Sequence, residues 1–278
     1  MNKKRYQGIM AVCCLALSCT VATRAYTIDN FDIAEVYKTA SVVYHCVGDT
    51  TLGSDVQLYT AAAVTIQWPT SFGGNDVSAL QDSLLSLYFF HHDHDVDAAI
   101  TSVMTHPLHY GEGTLVEVDT VPAGDDVLML EATLDVATVG FCDRFIVYRG
   151  DYFINEGGVH PNYFSQYLNY DLRDNTVLQF SDIFVAGADT TLLPVITTAL
   201  CDRFYVDNTT ELVEKADIYV NELFVSRDVY LTGDQIIFSY DPYEIAPWST
   251  GVVEVPVSIA DLADYLTPTV RSLYNLDD

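Results

Sequence analysis

Val229-Tyr230-Leu231-Thr232-Gly233-Asp234-Gln235-Ile236-Ile237-Phe238-Ser239-Tyr240 is the stretch that decides the fold class. Two runs of β-branched, aromatic and aliphatic residues flank Thr-Gly-Asp, and the glycine tolerates the reversed backbone of a tight turn. Strands joined this closely run antiparallel, because a parallel pair needs a long crossover. Downstream, residues 252–257 read as a final strand. Ser258, with Asp261 three positions on, marks the start of a short helix reaching Leu266. Upstream, a helical pattern runs from Leu192 or Pro194 to Tyr205, Pro194 being tolerable only in a first turn, and another over residues 210–223. Strand composition fills residues 115–121, 126–139, 141–153 and 163–172, broken by Pro122, Gly124 and Gly140.

Nearer the start, residues 36–46 and 56–68 are rich in Val, Thr and Tyr and read as strands. Gly73-Gly74 supplies a turn, and Asn75 or Asp76 a cap. Val77, Leu80, Leu84, Leu87 and Tyr88 then recur at helical spacing, predicting a helix over residues 76–90. A second helix is predicted over residues 95–105, stopped by Pro107. Strand runs separated by helices, with a hairpin signal, give an α+β fold: a mostly antiparallel sheet with flanking helices. Two closely associated subdomains are expected, residues 26–112 and 113–278, after a signal segment over residues 1–25.

That segment has the parts of an export signal. Lys3, Lys4 and Arg5 form a cationic start, and residues 9–17 an apolar run too short to span a bilayer permanently. Leu15-Ala16-Leu17-Ser18-Cys19 resembles a loose lipobox, which would make Cys19 a lipidation site and the chain a lipoprotein. Thr23-Arg24-Ala25 offers an ordinary signal-peptidase site instead. Either route places the product outside the cytoplasm, in a bacterial periplasm or on the outer cell surface, with a membrane contact only through a lipid anchor.

The 278 residues carry 12 Lys plus Arg against 39 Asp plus Glu, a formal charge of −27. Removing the three leading cations makes it about −30. This balance argues against nucleic acid or an anionic membrane surface as the main partner, since both need a basic face. It favours solvation, metal ions or a cationic partner. Cys46, Cys142 and Cys201, the cysteines beyond the signal, are too far apart for a CxxC motif and read as small buried apolar residues.

Four motifs resemble one known family. They are Gly157-Gly158-Val159-His160-Pro161-Asn162; Asn169-Tyr170-Asp171-Leu172; Leu178 through Ser181-Asp182-Ile183-Phe184; and Tyr240-Asp241-Pro242-Tyr243-Glu244-Ile245-Ala246-Pro247 followed by Gly251-Val252-Val253-Glu254-Val255. The pattern resembles the domain of unknown function shared by RsiV-type anti-sigma factors and the extracellular part of PdaC-type peptidoglycan deacetylases. Val159 stands where that pattern has Ala, and Asp241 where it has Asn. Residues 26–112, with Gln67-Trp68-Pro69, resemble its usual N-terminal companion. The resemblance implies an accessory binding module: the deacetylase domain, the sigma-binding segment and a transmembrane helix have no counterpart here. It also implies a lysozyme-like protein or peptidoglycan as partner.

Gly157, Gly158, His160, Asn162, Tyr243 and Glu244 are accordingly the candidate binding residues. Gly157 and Gly158 permit a sharp reversal between strands. His160 either projects as a ligand or holds the loop through its ring nitrogens. Tyr243 reads as core, and Glu244 as a partner for backbone or arginine. A second cluster, His91, His92, His94 and Asp95, combines imidazole and carboxylate in a way that suits zinc, or forms a solvated connector between two helices. His106 and His109 lie nearby. No nucleophile elbow or phosphate-cradling glycine loop is present, and no cofactor is expected. The competing function is a cell-wall carbohydrate hydrolase using paired carboxylates.

Overall fold

The computed structural model describes residues 22–28, 31–48, 55–104 and 113–277. Cys19, His106, Pro107 and His109 lie outside them. The first strands are β1 (Ala22–Ile28), β2 (Phe31–Val47) and β3 (Gln57–Phe72), followed by helices α1 (Ser78–Leu84) and α2 (Val96–Met104). Then come β4 (Thr114–Glu117), β5 (Val127–Phe141), β6 (Phe145–Asn155), β7 (Asn162–Asp171) and β8 (Thr176–Leu178). Helices α3 (Phe180–Ile183), α4 (Ala188–Thr191), α5 (Leu193–Phe204) and α6 (Thr209–Ala216) precede β9 (Val229–Leu231), β10 (Gln235–Tyr240) and β11 (Val253–Ser258). The chain closes with α7 (Ile259–Leu262) and α8 (Pro268–Leu273).

Strands β1 to β8 form one sheet in the order β1-β2-β3-β5-β6-β7-β8, with β4 also paired to β2. Only β3 and β5 are parallel among the described strands. The helices α1 and α2 lie in the crossover between them, as parallel pairing requires. This pairing also carries the sheet across residue 112. The hairpin β9–β10 forms as its sequence indicates and joins β11 in a second, three-stranded antiparallel sheet.

Strand β6 explains the layering. Successive side chains of a strand face opposite sides. Ile146 and Tyr148 enter a core beneath α1 and α2, with Ile66, Leu84, Val136 and Leu168. Phe145 and Val147 enter a second core shared with the small sheet and the later helices, including Ile196, Leu231, Phe238 and Val255. All four β6 residues are at most 1% exposed. The order is therefore helices, large sheet, small sheet, helices.

Two glycines set the spacing of these layers. A Cβ on Gly150 would lie 2.4 Å from the Tyr88 ring, whose hydroxyl is shared between the Tyr148 and Gln166 carbonyls at 3.1 and 3.2 Å. A Cβ on Gly140 would lie 2.4 Å from the Leu231 carbonyl oxygen, where β5 meets β9.

Several elements differ from the sequence reading. The helix expected over residues 76–90 is α1 followed by one π-helical turn, Leu85–Phe89, and left-handed Phe90 (φ 52°) ends it. The helix expected over 210–223 stops at Ala216, because Asp217 turns left-handed; a 3₁₀ turn follows at Val220–Glu222. Strand β4 stops at Glu117, short of residue 121. Cys46 is buried, but Cys142 and Cys201 are only part-buried, and these two are free thiols. No helix among the described residues is long and apolar enough to cross a membrane.

Candidate functional site

The loop between β6 and β7 and the turn after β10 meet, although more than 80 residues separate His160 from Tyr243. Gly157 takes φ +75°, which only glycine adopts cheaply, and its N–H donates to Asn155 Oδ1 at 3.2 Å. Gly158 does not have positive φ, so only the first glycine is conformationally required. Val159, at the tip, is fully exposed. Asn162 is the first residue of β7, exposed and paired with Ile154.

His160 ties the loop to the turn. Its Nδ1 lies 3.0 Å from the Pro161 carbonyl, which only accepts, so Nδ1 carries the proton. Nε2 is 2.9 Å from the Tyr243 hydroxyl and accepts from it in the neutral ring. The imidazole also stacks on Trp248, with centroids 4.4 Å apart. Trp248 Nε1–H donates to the Pro161 carbonyl at 3.0 Å, and the Tyr163 hydroxyl donates to the Trp248 carbonyl at 3.4 Å. The ring nitrogens of His160 are thus used in holding loop and turn together.

Tyr243 is not core, as its sequence setting suggested. It has φ 75° and is 57% exposed. The reason is the turn itself: the Tyr243 N–H donates to the Ala246 carbonyl and the Glu244 N–H to the Asp241 carbonyl. Ile245 and Ala246 take the buried places instead. Glu244 uses its carboxylate on backbone, accepting the Asp241 N–H at 2.8 Å. Asp241 in turn accepts the Ser165 N–H of β7 at 3.2 Å. Burial pushes the Asp241 carboxyl up to about 6 against that hydrogen bond, with Glu244, Asp228 and Asp151 adding to the shift. Burial raises Glu244 and Asp228 as well.

Sequence reasoning missed Trp248 and Asp241 as parts of this site. Trp248 directly follows the Tyr243–Pro247 motif, and an aromatic beside a turn motif was the available signal. Nothing local predicts its stacking on a residue 88 positions away.

The histidine run does not converge on one point. Asp95 caps α2 through the N–H groups of Asp97 and Ala98. His94, left-handed at φ 55°, pairs with Asp82 of α1. His91 is half-buried with no partner for Nε2, while exposed His92 lines a cleft of about 670 Å³ with Asp82, Phe90, Phe180 and Asp228. Among the described residues no three His, Cys, Asp or Glu side chains are placed to hold a metal. Asp95 thus caps α2, and His94 ties its start to α1.

The family model "Protein of unknown function (DUF3298)" matches residues 181–260, which include the Tyr243 turn. A crystal structure of a DUF3298 family member from Bacteroides fragilis is similar with a TM-score of 0.62 and 18% identity, covering 90% of this chain and 96% of that one. Another, from Pseudomonas aeruginosa, gives a TM-score of 0.54 and 17% identity over 84% of this chain and 95% of that one. At such identities the likeness is one of fold. No curated protein matches the chain.

Proposed function

We propose that this chain is an exported, non-catalytic binding protein of the bacterial cell envelope. Its recognition element is the rim formed by the 157–162 loop and the 241–248 turn. The observation that carries this reading is the display of Val159 and Tyr243 on a backbone locked by His160 and Trp248. Exposed apolar side chains held rigidly lose little entropy on binding. The acidic excess of the chain favours a cationic partner by accelerating encounter. A lysozyme-like protein fits that charge and the RsiV/PdaC-type resemblance; a cell-wall glycan is the other candidate.

Retention on immobilised lysozyme at low salt, weakened at 0.5 M salt and lost in Tyr243→Ala, is the expected result. No retention at either salt overturns the lysozyme version, and a parallel arm with purified peptidoglycan tests the glycan. The hydrolase alternative has one specific observation in its favour, the raised carboxyl of Asp241 beside Glu244. Both carboxylates, however, are bonded to backbone N–H groups, Glu244 to that of Asp241 within the turn and Asp241 to that of Ser165 in β7. Release of sugar fragments from peptidoglycan, abolished by Glu244→Gln, would support that alternative.

Export by the lipoprotein route follows from the same reading. Strand β1 pairs from Ala22↔Tyr37 to Ile28↔Phe31. Cleavage after Ala25 would delete more than half of it, whereas processing at Cys19 keeps it whole. Palmitate incorporation that disappears in Cys19→Ala is expected. A mature N-terminus at Tyr26 would overturn the route.

A further inference from the structure

The turn that displays Tyr243 is held by ionisable groups. Asp241 receives the Ser165 N–H, and Glu244 receives the Asp241 N–H. Two more carboxylates from other elements act on Asp241: Asp228, one residue before β9, and Asp151 of β6. The cation of this region is Arg149 of β6. It is committed to Asp151 at 2.8 Å and lies 3.6 Å from Glu254 of β11. Ser165 Oγ also donates to Asp151, at 2.6 Å. His160, from the loop, faces Tyr243 rather than the carboxylates. Among the described residues no lysine or arginine pairs with Asp241 or Glu244. At neutral pH part-burial puts a desolvation cost on the Asp241 and Glu244 charges, and the turn carries them as like charges with no counter-ion of its own.

We propose that mild acidification tightens this turn: Asp241 takes up a proton, the cost of keeping its charge part-buried and its repulsion with Glu244, Asp228 and Asp151 both end, and the backbone bonds that display Tyr243 become more persistent. The proton comes from solvent and stays on an Asp241 oxygen, leaving the other oxygen to accept the Ser165 N–H. The His160–Tyr243 contact survives in either ring state. A neutral ring accepts at Nε2, and a protonated ring donates there to the phenol oxygen. The titration window is set by the Asp241 carboxyl at about 6, against an ordinary aspartate near 4. The change in the turn stands on the free protein; only its effect on partner capture rests on the recognition role proposed above.

The test is amide hydrogen exchange by NMR on the full chain at pH 7.5 and 5.0, corrected for intrinsic exchange. Protection of the Tyr243 and Glu244 amides is expected to rise about tenfold on acidification, if opening returns Asp241 to an ordinary value. Asp241→Asn, which still offers an acceptor to Ser165, should show high protection at both pH values. Carboxyl ¹³C titration of the unsubstituted protein supplies a check that needs no variant, with an Asp241 midpoint near 6 expected. A midpoint near 4, flat protection, or an unchanged pH response in Asp241→Asn overturns the proposal. Failure to retain lysozyme at pH 5.5 with the tightening present would count against the binding reading instead.

Discussion

Asn169 sits where the two sheets meet, and its amide substitutes for the strand neighbour that β9 lacks on that side. Its Nδ2 donates to the Val229 carbonyl at 2.7 Å and its Oδ1 accepts the Leu231 N–H at 2.9 Å, with the residue 4% exposed. Removing it strands two buried backbone groups. Asn169→Ala should cost about 2–4 kcal/mol by urea unfolding, since each unsatisfied buried group costs about 1–3 kcal/mol. Tyr170, one position on, gives the opposite expectation. Its buried hydroxyl has no hydrogen-bond partner. Tyr170→Phe should be neutral or slightly stabilising, because a desolvated donor is removed and nothing is lost. Gly140 and Gly150 are fixed by contact rather than by φ. Alanine at either should destabilise by about 1–3 kcal/mol, as overpacking does, and more at Gly140, where the obstacle is backbone.

At the scale of elements, ends matter more than interiors. The helix α6 starts at Asn208, whose side chain accepts the Glu211 N–H at 3.1 Å. Asn208→Ala should cost about 1 kcal/mol, read as a shift in the unfolding midpoint. The π turn after α1 ends on Phe90, left-handed and 81% exposed. An exposed phenylalanine gains nothing from packing and carries the cost of that conformation. Phe90→Gly should therefore raise stability by up to about 1 kcal/mol. A loss instead would mean that Phe90 packs in solution. The 241–248 turn also belongs to this scale: two carboxylate bonds to backbone, two amide bonds within the turn and one histidine set where Tyr243 points.

For the whole molecule, charge governs the response to pH and salt. Asp241, Glu244, Asp228 and Asp135 are all raised, in each case first by burial. A carboxyl with a raised folded pKa binds more protons folded than unfolded, so it stabilises the fold increasingly as pH falls through that window. Burial also works against ionised Asp171, but its bonds with Arg173 outweigh that and hold it below the usual range. Its contribution is present above the unfolded value and is lost as pH falls through the lowered one. Maximum stability is therefore expected near pH 5, between these windows. Thermal unfolding should give a higher Tm at pH 5 than at 7.5, with Asp241→Asn narrowing the gap. Added salt should raise Tm more at pH 7.5, by screening the self-repulsion of a chain with formal charge −27.

Periodicity and turn chemistry determined the α+β class, the β9–β10 hairpin, the α5 helix and the cap at Ser258, because these depend on neighbours within a few positions. The long strands were legible from composition, although β1, β8 and helices α3, α4 and α8 were not. Each is too short to repeat its period or, for β1, overlaps a stretch that reads as an export signal. The chain also signalled the loop and turn motifs of the candidate site, while the structure shows Asp171 and Asp182 acting as local turn and cap carboxylates. Only the tertiary structure decided that His160 meets Tyr243 and Trp248, that Tyr243 faces solvent, and that Asp241 sits among three other carboxylates. Among the described residues it leaves no three of the His91, His92, His94 and Asp95 side chains placed to share a metal. Those outcomes depend on which faces of β6 and β7 are covered by the small sheet, and burial by a distant element leaves no mark on the local sequence.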